Sequence, residues 1–359
     1  MVLNDDNTLK EIVSENSIEK NDIEFFEGSI VPGFVSAHCH LELSQLKNQI
    51  PTGTGLLEFA KQIISKRNKF PKEEIQEAML EADKEMHNNG IVAVGDISNG
   101  ADSFEIKKRS NIFYHTFVEL IGFNPANSET IFNKGLGLME ELKKHQLAGS
   151  LAPHAPYSTS TELIKRIAEM NLPFSIHNQE TEEETKFFLG QKSAYDDFYK
   201  FLNLDISWFK APKTSSLKNY VRVLSQANSL LVHNTFTSKS DVSLTKEKTV
   251  FWCFCPNANL YIENNLPDYA LFQHLENRIC LGTDSLASNF QLDLSSEANV
   301  ILKHTHIFSA SVILKAMTSN AANALGISEN FGGFIPGKNA GLNLIDIKNS
   351  EIRFIKKIA

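Results

Sequence analysis

Short apolar runs rich in β-branched and aromatic residues recur along the chain, and between them lie stretches whose apolar residues repeat with helical spacing. The runs at 28–37, 91–97, 112–119, 148–152, 173–177, 229–233, 249–254 and 278–282 read as eight strands. The stretches at 73–88, 129–145, 161–170 and 217–227 read as helices between them. In the first helix Ile75, Met79, Ala82 and Met86 share one face, with charged residues interspersed. Eight buried strands alternating with helices predict an α/β fold, a (β/α)8 TIM barrel rather than a doubly wound sheet.

Three segments fall outside this repeat. Residues 190–216 form a long insertion rich in aromatic residues after the fifth strand, either a lid over a site or a packed excursion. The C-terminal FGGFIPGKNAGLNLIDIKNSEIRFIKKIA and the first 30 residues read as turns and short strands. Together they predict a small composite β domain, 1–30 with 326–359, beside a barrel over 31–325.

Composition changes this picture little. At 359 residues with 42% hydrophobic and 22% charged residues, the chain can bury a sizeable core. A formal charge of −8 argues against a nucleic-acid binder, which would show a basic face. Four cysteines form no disulfide framework, which points to a reducing cytoplasm. No apolar run reaches the roughly 18 residues of a membrane span, and MVLNDDNTLKEIVSENSIEKND lacks the build of a secretory signal. A homodimer would suit a barrel with exposed aromatics.

The candidate chemistry lies at the strand ends. In VPGFVSAHCHLELS, His38 and His40 are two apart at the end of an apolar strand, so both side chains point the same way. His177 ends PFSIH and is followed by Glu180; His233 ends SLLVH; Asp284 follows the apolar run in CLGTDSLASN. His154 follows the fourth strand in LAPHAPYS. All these residues fall on the C-terminal face, where barrel enzymes build their sites. Imidazoles and a carboxylate with one open position suit Zn²⁺ or Fe²⁺, which would make a hydroxide nucleophile from bound water near neutral pH. Asp284 can serve as ligand and general base, Glu180 as a proton shuttle to the leaving group, and His233 as a hydrogen-bond partner of the hydroxide.

The ordered motifs PGFVSAHCH, PHAPYS, SIHNQET, LVHNT, CPNANL and LGTDSLASN resemble the amidohydrolase superfamily over about Val31 to Asp346. Within it they look like the metal-dependent deaminase and chlorohydrolase branch, which includes S-adenosylhomocysteine/methylthioadenosine deaminase and aminodeoxyfutalosine deaminase. The resemblance implies a distorted barrel with a small β-sandwich built from both termini, and His38, His40, His177 and Asp284 as metal ligands. It further implies Glu180 and Asp284 as the proton-transfer pair, His233 orienting the water and His154 contacting the substrate. Binuclear relatives carry a carboxylated lysine on the fourth strand; LAPHAPYS has none, so one divalent ion is expected, Zn²⁺ ahead of Fe²⁺. Phe254 and Ala258 stand where relatives carry His and Ser. Only about 30 residues precede PGF, so the sandwich is expected to be reduced or the chain shortened.

Other residues near the presumed mouth are weaker candidates. Glu58 is the candidate for binding a ribose, ahead of Glu42; Lys66 and Arg67 could meet an anionic substituent. Cys39 is expected in the core, and Cys255 as a packed residue rather than a nucleophile. The function expected is hydrolytic deamination of a small-molecule amino-purine-type nucleoside derivative, such as aminodeoxyfutalosine or S-adenosylhomocysteine, by hydroxide attack on the ring carbon. The alternatives are cleavage of another C–N, amide or C–Cl bond at the same site, or an inactive binding protein that keeps the fold.

Overall fold

The computed structural model describes residues 1–14, 23–338 and 340–359. Among the described residues, three strands precede the barrel: β1 (Val2–Leu3), β2 (Leu9–Glu11) and β3 (Ser29–Pro32). Eight parallel strands follow: β4 (Phe34–Cys39), β5 (Ile91–Ser98), β6 (Phe113–Leu120), β7 (Ala148–Pro153), β8 (Phe174–Asn178), β9 (Ser229–His233), β10 (Val250–Phe254) and β11 (Ile279–Leu281). The chain ends with β12 (Leu342–Lys348) and β13 (Glu351–Lys357). β13, β12 and β3 make an antiparallel sheet, and β1 pairs with β2.

The strand expected over 28–37 is two strands, because the chain changes partner at Gly33. Before it, β3 runs antiparallel to β12; after it, β4 runs parallel to β5. A Cβ on Gly33 would lie 2.5 Å from Val92 Cγ1 and 2.6 Å from the Ala340 carbonyl, so only glycine fits the crossing. The helix expected over 217–227 is also shorter. Ser216–Tyr220 is helical and Val221–Val223 is a 3-10 turn, after which Leu224 turns extended with ψ 132°. Two β-branched valines within three residues weaken helix propagation there.

The barrel strands form two parallel sheets, β4-β5-β6-β7 and β11-β10-β9-β8. Their edges meet at two seams. At one, the backbone N–H groups of Thr283 and Asp284 donate to His38 O at 3.0 and 3.2 Å. Gly282 permits this approach, since a Cβ there would sit 2.7 Å from His38 Cβ. At the other, His177 N donates to His154 O at 2.9 Å. The core is the large apolar cluster around the strands, with Phe34, Phe117, Phe174, Trp252 and Phe254 fully buried.

The insertion at 190–216 is a packed excursion that also walls the cavity described below. Its helix Tyr195–Phe201 buries Tyr195, Phe198 and Tyr199, and Phe209 stacks on Phe187 at 4.7 Å between centroids. Among the described residues, no helix is long and apolar enough to cross a membrane.

A buried ion pair underlies the first strand's exit. Lys107 Nζ lies 2.6 Å from Asp96 Oδ2, both side chains being inaccessible, and it also donates to Ser98 Oγ at 2.7 Å and Thr116 Oγ1 at 3.2 Å. Asp96 Oδ1 accepts from Leu41 N at 2.8 Å, which fixes the backbone directly after His40. Lys107→Ala is expected to cost about 3–5 kcal/mol in urea unfolding, because it strands a buried carboxylate. Lys47→Ala, at the more exposed Lys47–Glu85 pair, is expected to cost less than about 1 kcal/mol. Equal costs for the two would contradict the assignment of Lys107 to the interior network.

Candidate metal centre

The seams bring the strand-end histidines together. His38 lies within β4 and His40 directly after it; His177 is near the end of β8 and His233 ends β9. Asp284 follows β11 and bridges to Cys39 across the first seam. Several of these positions leave the ordinary backbone regions, with φ of +73° at His233, +60° at Asn234, +54° at Asp284 and +48° at Gln179. Non-glycine residues hold such angles only where the surrounding structure imposes them. Here the strand ends turn sharply, which carries Glu180, His233 and Asp284 to the barrel mouth.

Three imidazole nitrogens meet edge to edge. His40 Nε2 is 3.1 Å from His38 Nε2 and 3.2 Å from His177 Nε2. Asp284 Oδ1 lies 3.6 Å from His38 Nε2 and 3.5 Å from His40 Nε2. His177 Nδ1 donates to His154 O at 2.8 Å, so its proton is on Nδ1 and its Nε2 carries the lone pair. Burial holds His40 and His177 well below the usual histidine range, with His38 adding to the effect on His40 and His154 to that on His177. With neutral rings, His40 Nε2 carries either one hydrogen or one lone pair, so it cannot make full hydrogen bonds to both neighbours. A divalent cation would take a lone pair from each of the three nitrogens at once. Nitrogens about 2.0–2.1 Å from zinc at tetrahedral angles lie about 3.3 Å apart, close to the observed spacing. The donor set His38, His40, His177 and Asp284 therefore fits such an ion, with His233 also within reach of His38 and Asp284.

The surrounding groups are poised differently. Burial would raise the Asp284 carboxyl, but His38, His40 and His233 hold it well below the usual range, and Ser288 Oγ donates to its Oδ2 at 2.6 Å. Glu180 is pushed well above the usual range by burial, then by Asp284 and Glu263. It sits 3.6 Å from His233 Nε2. His233 Nδ1 donates to Asn259 Oδ1 at 2.8 Å, which leaves Nε2 facing Glu180 as a lone pair. Burial lowers the His233 ring, keeping it neutral. His154 Nδ1 meets Ser158 Oγ at 2.5 Å, and its ring lies 4.9 Å from that of His177.

A cavity of about 220 Å³ opens beside these groups, reached by His40, His154, His177, Glu180, His233 and Asp284. Leu57, Phe59, Ile63, Phe198, Leu202 and Ile262 form its apolar side. Glu58 is not brought to it: the side chain is 52% exposed, 3.8 Å from Lys61, on a helix (Leu56–Lys66) that lines the cavity with Leu56, Leu57, Phe59, Ala60, Ile63 and Ile64. Glu42 is half-buried beneath, accepting from Asn99 N at 2.9 Å and Ser103 Oγ at 3.1 Å. Lys66 turns to Gln49 O and Gln62, whereas Arg67 lines the cavity and reaches Asn99 Oδ1 at 3.4 Å. Cys39 is core, and burial pushes the Cys255 thiol up to about 12, so it is no nucleophile. Phe254 packs on Tyr269 and Phe272, away from the cavity.

Sequence reasoning missed Glu119 and Asn259. Glu119 closes the apolar run 112–119 on the same barrel face as the others, and that position was the available signal. Asn259 stands in CPNANL, but nothing in the sequence ties it to His233.

Chelator-stripped protein is expected to melt below zinc-loaded protein, because an ion that binds only the folded state stabilises it by about 2.7 kcal/mol at 100 times its Kd. His40→Ala is expected to remove that difference in a thermal scan. A wild type whose melting ignores Zn²⁺ would rule the donor set out as a metal site.

A profile described as Amidohydrolase family matches residues 29–358. The 5'-deoxyadenosine deaminase of Methanococcus vannielii is 28% identical over 367 residues, spanning 95% of this chain and 81% of its own length. Among solved structures, Helicobacter pylori aminofutalosine deaminase in complex with methylthio-coformycin superposes with a TM-score of 0.77 at 24% identity, covering 89% of this chain and 80% of its own. An adenosine deaminase from Xanthomonas campestris with bound zinc gives a TM-score of 0.73 at 21% identity, covering 90% of this chain and 73% of its own.

Proposed function

The chain belongs to the amidohydrolase family, and we propose that it is a metal-dependent deaminase of adenine-type nucleoside derivatives. The observation that carries this reading is a buried acid, Glu180, held 3.6 Å from a neutral histidine, His233, at the edge of a cation-binding donor set. That pairing can move protons during addition and elimination at a ring carbon. The relatives support the substrate class, since the Methanococcus protein is a 5'-deoxyadenosine deaminase and the Helicobacter structure is of an aminofutalosine deaminase. We assign one ion, held by His38, His40, His177 and Asp284, because β7 has no lysine like that of binuclear relatives and is followed by His154. Zinc suits three imidazoles and a carboxylate, and the Xanthomonas relative holds zinc.

When bound, the ion supplies Lewis acidity and brings the pKa of a coordinated water toward about 7. The chain's own residues do the rest. Asp284, held ionised, accepts a proton from the attacking water. The lone pair on His233 Nε2 accepts a hydrogen bond from that water and orients it. Glu180 holds its proton because of its burial, and gives it to the ring nitrogen beside the attacked carbon. Addition thus puts oxygen on carbon and hydrogen on nitrogen. Asp284 then passes the proton it took from water to the amine; as the C–N bond breaks, the proton of the new hydroxyl returns to Glu180, and ammonia and the oxo ring leave.

Ammonia release should be measured on adenosine, 5'-deoxyadenosine and aminodeoxyfutalosine, with a chlorotriazine and an amide as comparison substrates. Turnover of an aminopurine is expected, and Glu180→Gln is expected to lower kcat by about 10²–10⁴-fold while metal content stays unchanged. Zinc-loaded protein that deaminates none of the aminopurines would refute the reading, and chloride or amide turnover would replace it.

A further inference from the structure

Glu119 lies on the cavity wall and has no part in the chemistry above. It is the last residue but one of β6, 7% exposed, and its two carboxylate oxygens have different surroundings. Oε2 accepts from Asn99 Nδ2 at 2.8 Å, and Asn99 Oδ1 in turn accepts from Arg67 Nη1 at 3.4 Å. Oε1 is buried, and no donor of the protein reaches it. His177 Nδ1 stands 3.7 Å away, and its proton is already given to His154 O at 2.8 Å. The relay from Arg67 through Asn99 holds the carboxylate in one orientation, and Glu119 lines the cavity with Oε1 left without a protein partner.

Its place relative to the reaction follows from the His177 ring. Nε2 faces the cation donor set and Nδ1 faces Glu119, so the acceptor stands one imidazole's width from the metal donors. The apolar side, Leu57, Ile63, Phe198, Leu202 and Ile262, offers no side-chain donor or acceptor that could compete for the same substrate group. A buried acceptor of this kind is costly when unpaired and rewarding when a ligand supplies the missing proton.

We propose that Glu119 is a specificity-determining residue, whose Oε1 accepts a hydrogen bond from an N–H or O–H of the substrate about one ring's width from the reacting carbon. The inference rests on the deaminase reading and narrows its substrate class. The donor belongs either to the heterocycle, as a further amino group, or to the sugar, as a hydroxyl. Substrates lacking both are poor ones.

Two matched pairs separate the sources: 2,6-diaminopurine riboside against adenosine, and adenosine against 2',3'-dideoxyadenosine. Wild-type kcat/KM is expected to favour the donor-bearing member of one pair by about 10–100-fold, and that pair identifies the donor. Glu119→Leu, which removes the acceptor, is expected to abolish the preference, chiefly through KM. Glu119→Gln keeps a neutral acceptor and is expected to retain part of it. Metal content and melting are measured on each variant. If Glu119→Leu does not fold, Asn99→Ala, which frees Oε2, must narrow the same preference. A preference unchanged in Glu119→Leu, or absent from both pairs in the wild type, would overturn the proposal, as would loss of metal with an equal fall on every substrate. A wild type inactive on every aminopurine would overturn the deaminase reading itself, a result distinct from active protein that ignores Glu119.

Discussion

The carbonyl oxygen of His154 accepts two hydrogen bonds from His177, one from the backbone N–H at 2.9 Å and one from ring Nδ1 at 2.8 Å. The first stitches β7 to β8 and joins the two sheets; the second fixes the tautomer and rotamer of the imidazole. One acceptor therefore couples barrel closure to the direction of a metal-competent lone pair. The opposite seam repeats the economy, since His38 O takes the N–H groups of Thr283 and Asp284 while the side chains of His38 and Asp284 face the same donor set. The donor set cannot drift apart unless a seam opens. For this reason its nitrogens are held together at 3.1–3.2 Å.

That rigidity has a cost in backbone conformation. His233, Asn234 and Asp284 take positive φ at the points where strands end and the chain must turn. Asparagine tolerates this region better than histidine or aspartate. At two of these positions the side chain is tied down by a hydrogen bond: Asn259 on His233, and Ser288 on Asp284.

Much of this was legible in the sequence, for identifiable reasons. Buried parallel strands announce themselves as continuous apolar runs, so all eight were visible, and histidines at their C-terminal ends could be assigned to one face before any coordinates. The seam residues were legible as side chains but not as acceptors, because a carbonyl leaves no mark in a sequence. The break at Gly33 was missed because an apolar run continues across a change of partner, and only the crowding by Val92 and Ala340 reveals it. Glu58 misled for a related reason. Its helix does line the cavity, but the face it presents there carries Leu57, Phe59 and Ile63, and helical phase cannot be read without knowing which side is inward.

The two carboxylates missed or misplaced by sequence reasoning, Glu119 and Glu58, illustrate what burial adds. Glu58 pairs with Lys61 in solvent, where its charge costs nothing and selects nothing. Glu119 is buried with one oxygen satisfied and one not. A carboxylate in that state lowers stability, and a fold closed as tightly as this one could have replaced it with an apolar residue of similar volume. Its presence beside His177, with Asn99 and Arg67 aligned behind it, is accounted for if the missing partner arrives with the ligand. The reaction end of the cavity is then set by groups that fix protons and a cation, while Glu119 adds an unpaired acceptor to a wall that also carries Arg67, Asn99, Tyr157 and Ser158. On that proposal, the metal centre sets which bond breaks and Glu119 bears on which substrate is taken.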